Sequence, residues 1–201
     1  MRWSDTVDEV IFADFVASTT PDVVPEDIAD ECREMWKSLS SKNKSSKFGW
    51  QSEVYNTLDS RIPNNCKALI DLMNVVMEFA NEYLHTNQLI SNMTSVKEAH
   101  WWVNINPTHA FNTIHTHARA DAIAIYYPES HDESGLVVVR NDGSSYSEMY
   151  KGDHEEFQQK FAVPCVKGRL FLFPGHVWHY VVANQNPTER ISVSYNIYLN
   201  S

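Results

Sequence analysis

The chain has 201 residues, of which 43% are apolar and 21% are charged, and its formal net charge is −10 at pH 7. These proportions are typical of a globular domain and exclude a disordered chain. The acidic balance makes phosphate backbones and anionic membranes unfavourable partners, so we expect the chain to bind neither nucleic acid nor a membrane.

The cysteines and the first residues indicate a cellular compartment. Cys32, Cys66 and Cys165 are odd in number, widely separated and form no CxxC pattern, which favours reduced thiols over a disulfide framework. The first five residues are polar and lack the apolar core of a signal peptide, and no run of about 18 apolar residues occurs. We therefore expect a soluble, cytoplasmic protein.

Two amphipathic helices are predicted in the N-terminal half. Over residues 25–39 apolar side chains recur at helical spacing, and Pro25 with the acidic pair Glu26-Asp27 suits a first helical turn. A second helix is predicted over about 64–84, with a buried side formed by Leu69, Leu72, Met73, Val76, Phe79, Ala80 and Tyr83. Neither helix carries an acid–base pair, so both are predicted to be structural.

From His100 onward the pattern changes to short β runs that are separated by turn residues. Strands are predicted near residues 100–106, 112–117, 121–127, 135–140, 161–165, 169–174, 177–183 and 190–199. Eight strands in about 100 residues predict a mainly β (α+β) fold, a double-sheet jelly roll or double-stranded β-helix with the helices packed on one sheet. We expect one domain over 1–201, with a helical part (1–98) that packs on the jelly-roll core (99–200).

The histidine pair His115-Thr116-His117 is the most informative motif. Two histidines at i and i+2 on a strand point their rings to the same face. Neutral imidazole is a common ligand of transition metals, and His179 from a later strand could complete the set. The pair alone is a weak signal, but the residues that follow it make the pattern specific.

Arg190 and Ser192 follow His179 and share one strand face. A planar guanidinium can bind a carboxylate through two hydrogen bonds, and a serine hydroxyl can add a third. The alternative is an arginine in an ordinary surface salt bridge. Ser194 and Asn196 continue along the same face and are expected to line the same pocket.

With these motifs the sequence resembles the 2-oxoglutarate/Fe(II)-dependent oxygenases, and most nearly a bacterial and phage subfamily with an HxH…H pattern. The resemblance covers most of residues 48–199 and rests on Gly49-Trp50-Gln51-Ser52, on Tyr126-Tyr127, on Trp178-His179 and on residues 112–117, 135–139, 168–174 and 190–197.

The resemblance implies that His115, His117 and His179 bind the metal. The superfamily usually carries a carboxylate where this sequence has His117, so Asp121 or Glu133 is an alternative third ligand. Asp121 lies four strand residues past His117, about 13 Å at the usual rise, and three histidines are therefore preferred.

The resemblance also implies a cosubstrate site. Arg190 and Ser192 would hold the far carboxylate of 2-oxoglutarate, and Asn104 and Asn106 would also touch it. The alternative for the two asparagines is that they satisfy backbone groups at a strand end. By strand parity with the histidine pair, Tyr127 is expected to face the pocket.

The implied activity is that of an Fe(II)- and 2-oxoglutarate-dependent dioxygenase that hydroxylates a small molecule or a protein side chain and releases succinate and CO2. No catalytic residue beyond the metal centre is required. The alternatives are a cupin-like three-histidine dioxygenase that does not use 2-oxoglutarate and a non-catalytic metal-binding jelly roll. A homodimer is left open. Trp101, Trp102 and Trp178 are expected to be core aromatics, and His176 is expected to lie at the rim.

Overall fold

The computed structural model describes residues 7–11, 14–42, 44–56, 59–117, 119–131, 135–139 and 160–200. These residues contain two helices, α1 (Pro25–Ser38) and α2 (Lys67–Thr86). They also contain thirteen strands: β1 (Val7–Ile11), β2 (Asp14–Thr19), β3 (Ser46–Lys47), β4 (Trp50–Gln51), β5 (Tyr55–Asn56), β6 (Val96–Asn106), β7 (Phe111–His115), β8 (Ala122–Glu129), β9 (Gly135–Val139), β10 (Lys160–Pro164), β11 (Leu170–Pro174), β12 (Trp178–Val181) and β13 (Arg190–Leu199).

The strands form two antiparallel sheets. The larger sheet has the order β1-β2-β11-β8-β13-β6-β4, with β5 also paired to β6. The smaller sheet has the order β10-β9-β12-β7-β3. The prediction of a mainly β fold with two helices is confirmed, and the eight predicted strands correspond to β6 through β13.

The larger sheet separates two apolar cores because side chains alternate between the faces of a strand. On β13, Ile191 and Val193 are fully buried on the face that packs against the helices. Ile125 of β8 and Phe173 of β11 lie on the other face of the larger sheet. They belong to the second core, together with Val181 of the smaller sheet. The polar residues of β13 at the alternate positions therefore face the space between the sheets.

Both helices pack on the larger sheet. Helix α1 has Pro25 in its first turn and buries Ile28, Ala29, Cys32 and Met35, whereas Trp36 stays exposed. Every residue predicted on the buried side of α2 is buried. The carboxylate of Glu31 accepts the backbone N–H groups of Ala68 (2.8 Å) and Leu69 (2.9 Å), so α1 caps the N-terminus of α2.

The first 98 residues contain more than the predicted helices. Strand β2 extends one edge of the larger sheet beside β11, while β3 and β4 join the smaller and larger sheets respectively. The N-terminal part therefore contributes strands to both sheets in addition to the two predicted helices. Strands of two residues carry no alternation pattern, and only their pairing with β6 and β7 defines them.

Neither of the two described helices is long and apolar enough to cross a membrane. All three cysteines are buried as thiols.

Candidate metal centre

The structure brings His115, His117 and His179 into one group, whose potential ligand atoms all lie within 4.8 Å of one another. His115 ends strand β7 and lies directly opposite His179 of β12. His117 follows two residues later, outside the strand. The sequence predicted both histidines on one strand, but only His115 lies on β7. Strand alternation therefore does not explain why both rings point to the same centre.

A bulge in β7 contributes to the direction of the His115 side chain. His115 pairs with His179 and Asn112 pairs with Val181, so three steps along β7 match two along β12. A bulge of this kind re-aims the side chains next to it. As a result, Asn112 and His115 both line the same cavity although they are three residues apart.

A turn at Gly175 positions His117. The backbone N–H of His117 donates to the carbonyl of Gly175 (2.8 Å), and the N–H of Ala120 donates to the carbonyl of His117 (2.8 Å). A Cβ atom on Gly175 would lie 2.0 Å from the carbonyl oxygen of Ala120. The close approach of two backbones at this point therefore requires glycine.

Backbone carbonyls fix the tautomers of two rings. The Nδ1 atom of His115 lies 2.6 Å from the carbonyl oxygen of Thr113, and the Nδ1 atom of His179 lies 3.0 Å from that of Val177. Because a carbonyl oxygen only accepts, each Nδ1 carries the hydrogen and each Nε2 keeps its lone pair.

His117 is held by side chains instead. Its Nδ1 atom lies 2.7 Å from Oδ1 of Asn196. Its ring stacks on Trp102, with centroids 5.5 Å apart and an interplanar angle of 16°. Its Nε2 atom is therefore also the one left for a ligand.

The three imidazoles are neutral at pH 7 because the fold disfavours their charged forms. Burial, reinforced by the neighbouring His115, lowers the pKa of His117 to about 4 and that of His179 to about 3. Burial also lowers the pKa of His115. Neutral nitrogen donors that need not lose a proton suit a divalent transition metal.

Two connected spaces meet at the histidines. A narrow inner cavity of about 20 Å³ is lined by all three histidines and by Ser45, Trp102, Asn104, Asn112, Ile123, Ile125, Tyr127, Val181, Ser192 and Ser194. An outer chamber of about 350 Å³ is lined by His115, His117, Lys44, Ser45, Gln51, Val54, Trp102, Thr113, Thr116 and Asn196. The predicted residues Asn104, Tyr127 and Ser192 thus share one cavity with the histidines.

Arg190 does not line this cavity, whereas Ser192, two residues further along β13, does. Its side chain is buried, Nη1 donates to the carbonyl of Val182 (3.0 Å), and Nη2 has no partner within the described part of the chain. Burial lowers the pKa of Arg190, whereas the adjacent Tyr127 and Cys165 raise it. No carboxylate among the described residues pairs with Arg190, so the surface salt bridge considered above is not formed there. A buried, unpaired guanidinium is costly unless an anion binds it.

The remaining candidates lie outside the group. Asn106 is opposite Arg190 in the register of β6 and β13, but its amide donates to Asn112 (2.8 Å) and it does not line the cavity. Asp121 is exposed, and its carboxylate accepts the N–H of Leu199 (2.9 Å), so it does not join the histidines. Glu133 lies outside the described residues.

Sequence reasoning missed several residues of the site. Trp102 was expected in a core, yet it lines both spaces and stacks on His117. Trp102 and Asn104 are two residues apart on β6 and therefore share one face, and this spacing could have placed Trp102 in the pocket. Trp178 is 38% exposed, whereas Trp101 is a core residue as expected. Ser45 comes from the segment before β3, which carries no motif.

A group of three histidines, of which His179 is buried and His115 and His117 are half-buried, is a ligand set suited to a single metal ion. The family model described as "Putative 2OG-Fe(II) oxygenase" matches residues 100–196, which contain all three histidines and the arginine. Over this stretch, 97 of the 201 residues, the chain is similar to the 2-oxoglutarate/Fe(II)-dependent oxygenases, whose cofactors are Fe(II) and 2-oxoglutarate. The resemblance inferred from the motifs and the predicted cofactors are confirmed.

Solved structures show the same fold. A prolyl-4-hydroxylase from Pseudomonas putida has a TM-score of 0.61 at 17% identity, with 91% of each chain covered. The epimerase SnoN from nogalamycin biosynthesis, a non-heme alpha ketoglutarate dependent enzyme, has a TM-score of 0.61 at 14% identity, covering 91% of this chain and 76% of that one. A prolyl hydroxylase from Trichoplax adhaerens in complex with a hypoxia inducible factor peptide fragment has a TM-score of 0.59 at 12% identity, covering 87% and 78%. No curated protein sequence matches the chain.

Proposed function

We propose that the protein is a non-haem dioxygenase that hydroxylates a small molecule or a protein side chain, with release of succinate and CO2. In this proposal His115, His117 and His179 bind Fe(II) through their Nε2 atoms. The observation that carries the proposal is the convergence of three neutral imidazoles in a cavity that also contains Ser192, two residues along β13 from the buried Arg190, whose Nη2 has no partner among the described residues.

The residues of the inner cavity fit the two cofactors. Three neutral nitrogen donors leave coordination positions of an iron ion open for small ligands. For 2-oxoglutarate, the guanidinium of Arg190 would bind the far carboxylate, with Ser192 and Asn104 beside it. Nη2 of Arg190 and Oδ1 of Asn104 are buried and have no partner within the described residues, as expected of groups that await a ligand.

Tyr127 has a supporting role in this proposal. It lines the cavity together with the three histidines and Ser192. Asn106 would act one step further out, by holding Asn112 at the cavity wall. The apolar side chains of Ile123 and Ile125 exclude water from the same space.

Fe(II) and 2-oxoglutarate supply the activation of dioxygen when they are bound. The protein itself orients the ligands and keeps the cavity dry. This division of labour agrees with the absence of a paired-carboxylate group around the described cavity walls.

We also propose that residues 96–199 form a double-stranded β-helix within a single domain (1–201). In support, the eight strands alternate between two four-stranded arrays, β6-β13-β8-β11 and β7-β12-β9-β10. The buried thiols support a reducing, cytoplasmic location.

The test is the binding and turnover of 2-oxoglutarate by Arg190→Met, with Arg169→Met as a control. Arg169 is an arginine outside the site that donates to Thr20 (3.0 Å). Losing charge-assisted hydrogen bonds to a carboxylate costs roughly 3 kcal/mol, so we expect about 100-fold weaker binding of 2-oxoglutarate to Arg190→Met under anaerobic conditions. Succinate formation should fall in parallel, and Arg169→Met should behave like the wild-type protein.

A second candidate function, a three-histidine dioxygenase without 2-oxoglutarate, is favoured by one observation, the third neutral ligand at His117. Oxygen consumption that does not depend on 2-oxoglutarate and does not change in Arg190→Met would establish it. Firm Fe(II) binding without any turnover would instead indicate a metal-binding protein.

A further inference from the structure

Asn196 is distinguished by its contact with His117. The Nδ1 atoms of His115 and His179 donate to backbone carbonyls two residues earlier in the chain, those of Thr113 and Val177. His117 lies beyond the end of β7 and has no such carbonyl as its Nδ1 partner; the oxygen 2.7 Å away belongs to the side chain of Asn196.

We infer that Asn196 is a positioning residue that sets the tautomer and the direction of the His117 ring. The inference rests on the proposed function, since it treats His117 as a metal ligand. An amide oxygen accepts the Nδ1 hydrogen, and the Nε2 lone pair is thereby directed to the centre shared with the other two histidines.

Trp102 completes the support of the ring. Its indole stacks on the imidazole at an interplanar angle of 16°, which restricts tilting of the ring plane. The hydrogen bond to Asn196 restricts rotation within that plane. Trp102 and Asn196 project from neighbouring strands β6 and β13 toward the same outer chamber, so the two restraints come from one rigid part of the larger sheet.

The same strand carries the candidate cosubstrate residues. Arg190, Ser192 and Asn196 alternate along one face of β13, so a single strand supports both the carboxylate site and the third ligand. Through Asn196, His117 is therefore linked to the same strand that carries the proposed carboxylate site.

The orientation of the amide is decisive. If the NH2 group of Asn196 faced the ring, Nδ1 would have to accept and the hydrogen would move to Nε2. That hydrogen would point at the Nε2 atoms of the other two histidines and prevent ligation. The geometry therefore requires the amide oxygen, which an aspartate could replace and a leucine could not.

Long-range ¹H–¹⁵N NMR of the imidazoles in the metal-free protein tests the tautomer. We expect His117 to be in the Nδ1–H form in the wild-type protein and in Asn196→Asp, and to be a mixture of tautomers in Asn196→Leu. Retention of a pure Nδ1–H form in Asn196→Leu, or an Nε2–H form in the wild-type protein, would overturn the inference.

Cobalt(II) affinity and the visible spectrum of bound cobalt(II) test the consequence for ligation. We expect about 10- to 100-fold weaker binding and an altered spectrum for Asn196→Leu, with both restored toward wild type by Asn196→Asp. The matched control is Asn81→Leu, which removes an amide oxygen that accepts the N–H of Val96 (3.0 Å) outside the site.

The outcomes separate the inference from the proposed function. If Asn196→Leu and Asn81→Leu lower thermal stability alike and leave cobalt(II) affinity and spectrum unchanged, Asn196 has only a structural role and the inference fails. If the wild-type protein binds no cobalt(II) at all, the proposed function fails, while the NMR result still decides whether Asn196 sets the tautomer.

Discussion

At the scale of single residues, the metal centre depends on how closely two backbone segments approach at Gly175. The Cβ of an alanine there would lie 2.0 Å from the carbonyl oxygen of Ala120 and 2.9 Å from that of His117. Backbone atoms cannot rotate out of the way, so the segment carrying His117 must shift. The ligand position is therefore sensitive to a single methyl group.

We expect Gly175→Ala to lower metal affinity at least 10-fold and the free energy of unfolding by about 1–3 kcal/mol. Isothermal titration with cobalt(II) and urea unfolding measure the two effects. Gly135→Ala is the matched control, because the nearest atom to its Cβ would be the carbonyl oxygen of Val163 at 3.9 Å, an ordinary contact. Equal metal affinities for the two variants would contradict the steric argument.

At the scale of elements, helix α2 depends on its neighbour for its N-terminus. Its N-cap residue, Cys66, makes no side-chain cap, and its first turn contains no acidic residue. Glu31 of α1 supplies the missing acceptors through hydrogen bonds to the N–H groups of Ala68 and Leu69. A carboxylate at a helix N-terminus also interacts favourably with the helix dipole.

We therefore expect Glu31→Gln to lower the free energy of unfolding by about 1–2 kcal/mol, because an amide offers one acceptor oxygen and no charge. Urea unfolding monitored by circular dichroism measures the change. Glu34→Gln is the control, since the exposed carboxylate of Glu34 pairs with Lys37 of the same helix. Both variants should bind metal like the wild-type protein, because the helices lie on the face of the larger sheet opposite the histidines.

The elements that could be predicted are those whose pattern is local. Helix α1 begins at Pro25 as predicted, and β13 carries clear alternation from Arg190 onward. The short strands β3 and β4 could not be predicted, since each has two residues and is defined only by its partner.

Part of the site could also be predicted, namely the motif residues that lie on regular strands. His179 and Ser192 are examples, and the cavity contains both. Asn112 reaches the cavity through a bulge that no sequence pattern signals. Asn196 was expected in the pocket from its place on the strand. Its hydrogen bond to His117 could not be predicted, because the direction of His117 depends on the distant turn at Gly175.

At the scale of the whole molecule, the buried histidines link the fold to pH. The pKa of His179 is about 3 and that of His117 about 4, both below the ordinary value of 6.5. At acidic pH the unfolded chain therefore binds protons that the folded protein does not. The stability of the metal-free protein should be constant above about pH 7 and should fall as the pH drops below 6.5.

Between pH 7 and pH 5 we expect His179 alone to lower the free energy of unfolding by about 2 kcal/mol, and His117 to add a similar or smaller amount. Urea unfolding of the chelator-treated protein at both pH values measures this loss. His179→Gln should show a weaker dependence on pH. The comparison variant for metal binding is His176→Gln, which removes an exposed histidine. Because a bound divalent ion holds the imidazoles neutral and binds the folded state only, adding cobalt(II) at pH 6 should raise the stability of the wild-type protein and of His176→Gln but not that of His179→Gln. An unchanged pH dependence in His179→Gln would mean that groups other than the three histidines govern the acid sensitivity of the fold.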